Sequence, residues 1–227
     1  MTSRNDTLVA LAIMAKAPRA GEVKTRLCPP LSPADGAALY RCFLLDKVAQ
    51  VRGLSGARAV IAFTPNTERD VFEALAPDVQ LLAQRGDDLG RRLLNGLDDL
   101  LRGGYRGALA IDSDTPTLPT EFLRQGIDAV MKPDVDVVLG PTDDGGYYLI
   151  GMRKTWPALF DAMPWSTPDV FPETMRRAEA HGLRVACLPA WFDVDTARDL
   201  DRLMVSFAQG HAEGGSHTRR FLASRAQ

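Results

Sequence analysis

Two carboxylates stand at the end of an apolar run in Ala108-Leu-Ala-Ile-Asp112-Ser113-Asp114-Thr115-Pro116-Thr-Leu-Pro119. A continuous apolar run closed by prolines reads as a strand buried on both faces of a parallel sheet. Ligands in open α/β sheets collect at the carboxyl ends of such strands. Spaced two apart in extended backbone, Asp112 and Asp114 face the same side. Two like charges on one face call for a cation, and a hard divalent metal suits their oxygens. The alternative is that one Asp caps the following turn while the other is solvated. Trp191-Phe192-Asp193-Val194-Asp195-Thr196 repeats the pattern ahead of a helix. Asp195 reads either as that helix's cap or, with Asp112 and Asp114, as an oxygen ligand for Mg²⁺ or Mn²⁺ completed by phosphate oxygens.

The loop Lys16-Ala-Pro18-Arg-Ala-Gly21-Glu-Val-Lys24-Thr25-Arg26-Leu27 follows another apolar run, Leu8 to Ala15. Lys16, Arg19, Lys24 and Arg26 with Gly21 suit phosphate groups, which need cations and close backbone approach. The loop is neither a Walker A sequence nor a Rossmann fingerprint. Asp143-Asp144-Gly145-Gly146-Tyr147 reads as a turn or as an acceptor-side loop in which a carboxylate acts as base. Trp165-Ser166-Thr167 reads as an acceptor wall or a helix cap. His181, His211 and His217 each stand on a helix end or in the tail, and no nucleophile–histidine pairing is visible, which argues against covalent Ser or Cys catalysis.

These residues need elements to position them. Ser32-Pro33-Ala34-Asp35 opens a helix to about Val51. Strands are expected at Arg58–Phe63, Val79–Ala83, Val135–Leu139, Tyr147–Ile150 and Arg184–Leu188. Further helices are expected from Thr67 to Leu75, Gly90 to Leu101, Thr120 to Met131, Trp156 to Ala162, Pro168 to His181 and Thr196 to Phe207. Alternation of this kind predicts an α/β, three-layer sandwich on a mostly parallel sheet, with Tyr147–Ile150 antiparallel at one edge. One domain is expected over 1–208, with a frayed tail from 209 to 227.

The totals bound the partners. A net charge of −2 in 227 residues excludes a broad nucleic-acid-binding field. Three scattered cysteines argue for packing rather than zinc or a disulfide framework. The first residues lack the apolar core of a signal peptide and no run is long enough for a membrane span, so the expected location is cytoplasmic. The sequence leaves the oligomeric state open.

Lys-x-Pro-x-x-Gly-x-x-Lys-Thr-Arg-Leu, Asp-Ser-Asp-Thr-Pro, Asp-Gly-Gly-Tyr-Tyr-Leu-Ile-Gly and Asp-Val-Asp-Thr occur here in that order, between about residues 8 and 205. Together they resemble an uncharacterised bacterial family of nucleotide-diphospho-sugar-transferase-like proteins with the GT-A fold. Some of its members are labelled arsenosugar-biosynthesis glycosyltransferases or radical-SAM/selenodomain-associated transferases. The resemblance implies that Asp114, with Asp112 close by, and Asp195, with its neighbour Asp193, hold a metal against a nucleotide diphosphate. It implies that Lys16, Lys24 and Arg26 hold phosphates, and that Gln84, Gly86, Leu89 and Gly90 lie where the base is contacted. Gly145, Gly146, Tyr147 and Trp165 would face the acceptor, with Lys24, Asp143 and Asp144 as catalytic candidates.

Lys24-Thr-Arg-Leu27, Leu31-Ser-Pro33 and Leu45-Asp46 also resemble 2-phospholactate guanylyltransferases. The Gly-rich loop with Arg-Met-Gly of sugar and molybdopterin nucleotidyltransferases is missing. The resemblance implies metal-dependent glycosyl transfer from a nucleotide sugar to a small acceptor. Its alternative is nucleotidyl transfer from a nucleoside triphosphate with pyrophosphate release, which the charge of the basic loop favours. A non-catalytic nucleotide-binding partner is the third class.

Overall fold

The computed structural model describes residues 9–210 and 214–225. The expectations for the first residues, Leu8 and His211 lie outside them. The strands are β1 Val9–Lys16, β2 Ala57–Thr64, β3 Gln80–Ala83, β4 Gly107–Ile111, β5 Val137–Pro141, β6 Tyr147–Met152 and β7 Val185–Cys187. The helices are α1 Pro33–Arg52, α2 Arg69–Leu75, α3 Leu89–Arg102, α4 Thr120–Val130, α5 Val170–Ala180, α6 Ala197–Ala208 and α7 Ser216–Ala223.

The seven strands form one sheet in the order β3-β2-β1-β4-β6-β5-β7. Neighbours pair in parallel except on the two sides of β6. Every residue of β4 is buried, as the uninterrupted apolar run requires. Alternate residues of β1 serve opposite faces: Val9, Leu11 and Ile13 meet α1, α2, α4 and α6, while Ala10 and Ala12 meet α3 and α5. Two apolar layers on one sheet give the expected three-layer α/β/α sandwich.

Four expectations are corrected. Antiparallel β6 lies inside the sheet between β4 and β5, not at an edge. The burial of Tyr148–Met152 needs partners on both sides, and a five-residue loop, 142–146, returns the chain directly beside β5. The helix expected over Trp156–Ala162 is a single 3₁₀ turn, Pro157–Leu159.

The tail is the third. Residues 216–223 form α7, which packs on α1 and buries Thr218. Gly215, at its N-cap position, offers no side chain, so local sequence gives no start signal. The cap comes instead from Asp46 on α1, whose carboxylate accepts from the backbone N–H of His217 and Thr218, both at 2.9 Å, and from Thr218 Oγ1 at 2.6 Å. A buried anion at a helix N-terminus satisfies orphan donors and complements the dipole. The cysteines are free, and Cys187 is exposed rather than packed inside.

Candidate functional site where two aspartate motifs meet a basic loop

Two chain segments lie side by side at the carboxyl end of β4. Val194 N–H donates to Asp114 O at 3.0 Å, pairing the turn after β4 with the stretch before α6. Each segment carries acids at i and i+2, so their junction sorts four aspartates into two cross-segment pairs: Asp114 with Asp195, and Asp112 with Asp193.

The outer pair faces solvent. Lys24 Nζ lies 2.5 Å from Asp114 Oδ1 and 2.7 Å from Asp195 Oδ1, and donates to Val194 O at 2.9 Å. Its side chain is only 4% exposed, against 35% for each carboxylate. Burial disfavours the ammonium, but Asp114 and Asp195 outweigh it and hold the Lys24 pKa above the ordinary lysine range. Asp195 is not a helix cap. Thr196 caps α6 in a capping box with Asp199, which leaves the Asp195 side chain to the site.

The inner pair is closed off. Thr115 Oγ1 donates to Asp112 Oδ1 at 2.6 Å, and Lys47 Nζ lies 3.9 Å from the same oxygen. Lys47, with no exposed side-chain surface, donates to Thr115 O and Oγ1, both at 2.8 Å. Burial raises the Asp112 pKa to about 6, with the Asp114 charge adding to it against Lys47, and burial beside the Asp112 charge raises that of Asp193 further. Asp112 Oδ2 and Asp193 Oδ1 are buried without a partner when both groups are ionised, and one proton between them satisfies both.

Helix α1 is the template for this arrangement. Tyr40, Lys47 and Gln50, spaced i, i+7 and i+10, share a face toward the turn. Tyr40 hydroxyl pairs with Ser113 Oγ at 2.9 Å and accepts from Lys16 N–H at 3.1 Å. Gln50 Nε2 donates to Leu118 O at 2.6 Å. Sequence reasoning missed all three. The available signal was Lys47 inside the apolar stripe of Phe43, Leu44, Val48 and Val51, where an unpaired lysine is not expected.

A pocket of about 230 Å³ opens above the outer pair, lined chiefly by Lys16, Lys24, Thr25, Arg26, Asp114 and Asp195. Lys16 Nζ donates to Glu22 O at 2.9 Å, while Arg26 is mostly solvent-exposed and lies 3.9 Å from Asp195 Oδ2. Gly21 turns the loop at φ 79° with open space around it. Lys24 is left-handed at φ 49°, and the backbone N–H groups of Val23, Lys24, Thr25 and Arg26 find no acceptor among the described residues. Successive free amides around such a turn form an anion-binding concavity.

The remaining candidates lie outside that pocket. Asp144 Oδ1 accepts from Thr142 Oγ1 at 2.6 Å and Gly146 N–H at 3.0 Å, stapling its own loop. Asp143 Oδ2 pairs with Arg202 at 2.7 Å. Gln84 Nε2 donates to the carbonyls of Ala62 at 2.7 Å and Ala15 at 3.3 Å, bridging the ends of β2 and β1. Gly86 leads into α3, whose cap is Asp88, and Leu89 is exposed at its start.

Gly90, Tyr147 and Trp165 instead build a common wall. The Trp165 indole would stand 2.8 Å from a Cβ at Gly90 and meets the Tyr147 ring edge-on at 6.3 Å, while Gly145 is pressed against the Pro168 backbone. The residues expected at base and acceptor thus touch one another.

A divalent metal fits Asp114 and Asp195. Both present a carboxylate oxygen to one point, now taken by the Lys24 ammonium, and both open to the pocket. Among the described residues no three His, Cys, Asp or Glu side chains converge as a closed cage. Mg²⁺ needs none, since one or two carboxylates with phosphate and water complete its shell. Asp112 and Asp193 do not line the pocket, because the cross-segment pairing turns them inward onto Lys47.

Comparison with known proteins places the chain in a lineage. Residues 47–167 match the model of a family described as an uncharacterized protein conserved in bacteria (DUF2064). The chain belongs to this family. It is 27% identical over 205 residues to the 2-phospho-L-lactate guanylyltransferase of Methanothermobacter thermautotrophicus, covering 88% of this chain and 83% of the relative. A crystal structure from Desulfovibrio desulfuricans, described as a nucleotide-diphospho-sugar transferase, is 34% identical with a TM-score of 0.81. It covers 86% of this chain and 85% of its own. The 4-diphosphocytidyl-2C-methyl-D-erythritol synthase of Anaerococcus prevotii, at 14% identity and a TM-score of 0.60, shares the fold over 89% of this chain and 97% of its own. The family member is a transferase on the nucleotide-diphospho-sugar transferase fold.

Proposed function

We propose that this transferase moves a nucleotidyl group from a nucleoside triphosphate to a small phosphorylated acceptor and releases pyrophosphate. The observation that carries the reading is the pocket between the basic β1 loop and the Asp114–Asp195 pair. Lys16, Lys24 and Arg26 face Glu22, Asp114 and Asp195 across it, so the protein's own charges there nearly balance. Cations, free loop amides and a carboxylate pair within one pocket suit a polyphosphate arriving with its metal. The guanylyltransferase relative supports the same chemistry.

In this reading Asp114 and Asp195 hold Mg²⁺ or Mn²⁺, which when bound offsets charge on the polyphosphate. Lys16, Arg26 and the Val23–Arg26 amides bind and orient the β- and γ-phosphates that leave as pyrophosphate. An acceptor phosphate oxygen attacks the α-phosphorus, its new bond forming as the bond to the bridging oxygen breaks. Tyr40 and Lys47 fix the turn that carries Asp114, and the Trp165–Tyr147 wall screens the acceptor side.

Asp114→Asn should lower pyrophosphate release by roughly a hundredfold or more in a protein that circular dichroism shows to be folded. Near wild-type release would refute the assignment. Glycosyl transfer from a nucleotide sugar is the second reading, favoured by the 34% identity to the Desulfovibrio structure. The two part on whether pyrophosphate or a nucleoside diphosphate is released.

A further inference from the structure

The Lys24 ammonium has three N–H donors, and Asp114, Asp195 and Val194 use all three. As arranged, it offers nothing to a phosphate. It also stands on the point to which both pocket-facing carboxylates turn, so a cation cannot bridge them while Lys24 remains. The ammonium lies 5.9 Å from the Tyr40 ring centroid and 5.4 Å from that of Phe43, and its side chain is almost wholly buried. Left without an anionic partner there, it would be a buried, uncompensated charge.

We infer that Lys24 is an exchangeable counter-ion, holding the Asp114–Asp195 pair in the free protein and passing to the polyphosphate when a divalent metal takes that pair. The inference rests on the proposed nucleotide site and adds an order to its filling. A metal alone must expel an ammonium that has nowhere to go. A polyphosphate alone meets a site whose cations are already balanced by carboxylates. Together they exchange partners: the metal takes the carboxylates and the ammonium takes a phosphate. Lys24 is carried by the β1–α1 loop, and its flexible four-carbon stem can swing the charge while the backbone stays in place.

Only the Lys24 side chain need move. The αL backbone of Lys24 is packed beside α1, where Gly36 leaves room: a Cβ at Gly36 would lie 3.5 Å from Lys24 O.

The test is equilibrium Mn²⁺ binding to the full chain, read from the electron paramagnetic resonance signal of free Mn²⁺. It compares wild type, Lys24→Met, Lys24→Gln and the double variant Lys24→Met with Asp114→Asn, with thermal unfolding to establish that each is folded. Without nucleotide, Lys24→Met should bind Mn²⁺ roughly tenfold or more tightly than wild type, because one competing charge is gone. Lys24→Gln should gain in the same direction, and Asp114→Asn should erase the gain.

Equal or weaker Mn²⁺ binding in both Lys24 variants would overturn the exchange. If wild type still binds Mn²⁺ with GTP or another nucleoside triphosphate, the proposed function survives that result. Absence of Mn²⁺ binding to wild type with every nucleoside triphosphate would instead remove the nucleotide reading and the exchange with it.

Discussion

Replacing Lys47 by Met tests whether this buried lysine holds the acid cluster together. The ammonium is fully enclosed, makes two 2.8 Å hydrogen bonds to Thr115 and lies 3.9 Å from Asp112 Oδ1. Burial lowers its pKa, while Asp112, Asp114, Asp193 and Asp46 support its charge. At an effective dielectric of 20, losing a unit charge at that distance removes about 4 kcal/mol of attraction. Met fills similar space and spares the desolvation cost of an ammonium, which offsets part of that loss. Thr115 O also loses a charged donor.

The net expectation for Lys47→Met is about 2–4 kcal/mol of destabilisation, below the full value for stranding one partner of a buried pair. Urea unfolding should show a lower midpoint with an unchanged slope. Adding Asp112→Asn should restore part of the loss, with a coupling of about 1–3 kcal/mol. A Lys47→Met protein within about 0.5 kcal/mol of wild type would refute the reasoning, since surface-like sites behave that way.

Asp46→Ala should cost about 1.5–3 kcal/mol through lost charge-assisted bonds to α7. Amide exchange would then rise across residues 216–223, and unchanged protection there would exclude Asp46 as the cap. Gly90→Ala should destabilise by about 1–3 kcal/mol by overpacking, because its Cβ would sit 2.7 Å from Phe160 O and 2.8 Å from Trp165 Nε1. Tryptophan fluorescence should change with it, and an unperturbed spectrum would contradict the contact.

The Asp112–Asp193 pair makes a pH prediction. Both carboxyls are raised, so above about pH 4 the native state holds a proton that the unfolded chain has released. The pair's stabilisation is therefore full below about pH 4 and falls as pH rises through 6 and beyond. Asp193→Asn supplies a permanent donor, and its stability relative to wild type should rise between about pH 4 and pH 8. Parallel pH profiles would show that no proton is shared.

Much of the architecture was legible because apolar periodicity and start signals are local. The buried run into Asp112 gave β4, and Ser32 caps α1 as expected, accepting from Asp35 N–H at 3.1 Å. Elements that depend on distant partners were not legible. The α7 cap is a carboxylate 170 residues away in sequence, so the tail alone carries no start signal. The inner place of β6 is likewise a matter of sheet order.

The site divides in the same way. Asp114, Asp195, Lys24, Lys16 and Arg26 were visible as types and spacing, and they do meet at one pocket. The i, i+2 spacing could not show that two such motifs dock side by side and turn Asp112 and Asp193 inward. Nor could it show that Lys24 lies between the acids rather than among free cations. Lys47 stood out inside the apolar stripe of α1, but its partners Thr115 and Asp112 lie more than sixty residues away in sequence, so its role could not be read locally.

The most direct test of the central claim is a thermal-shift series on the wild-type chain in Mg²⁺, comparing the four nucleoside triphosphates with their nucleotide-diphospho-sugars. A ligand that binds the native state raises the melting temperature by linkage. Nucleotidyl transfer predicts that one triphosphate stabilises the protein more than any nucleotide sugar, and that the shift disappears without Mg²⁺. Stabilisation by a nucleotide sugar alone, or by none of these ligands, would contradict it.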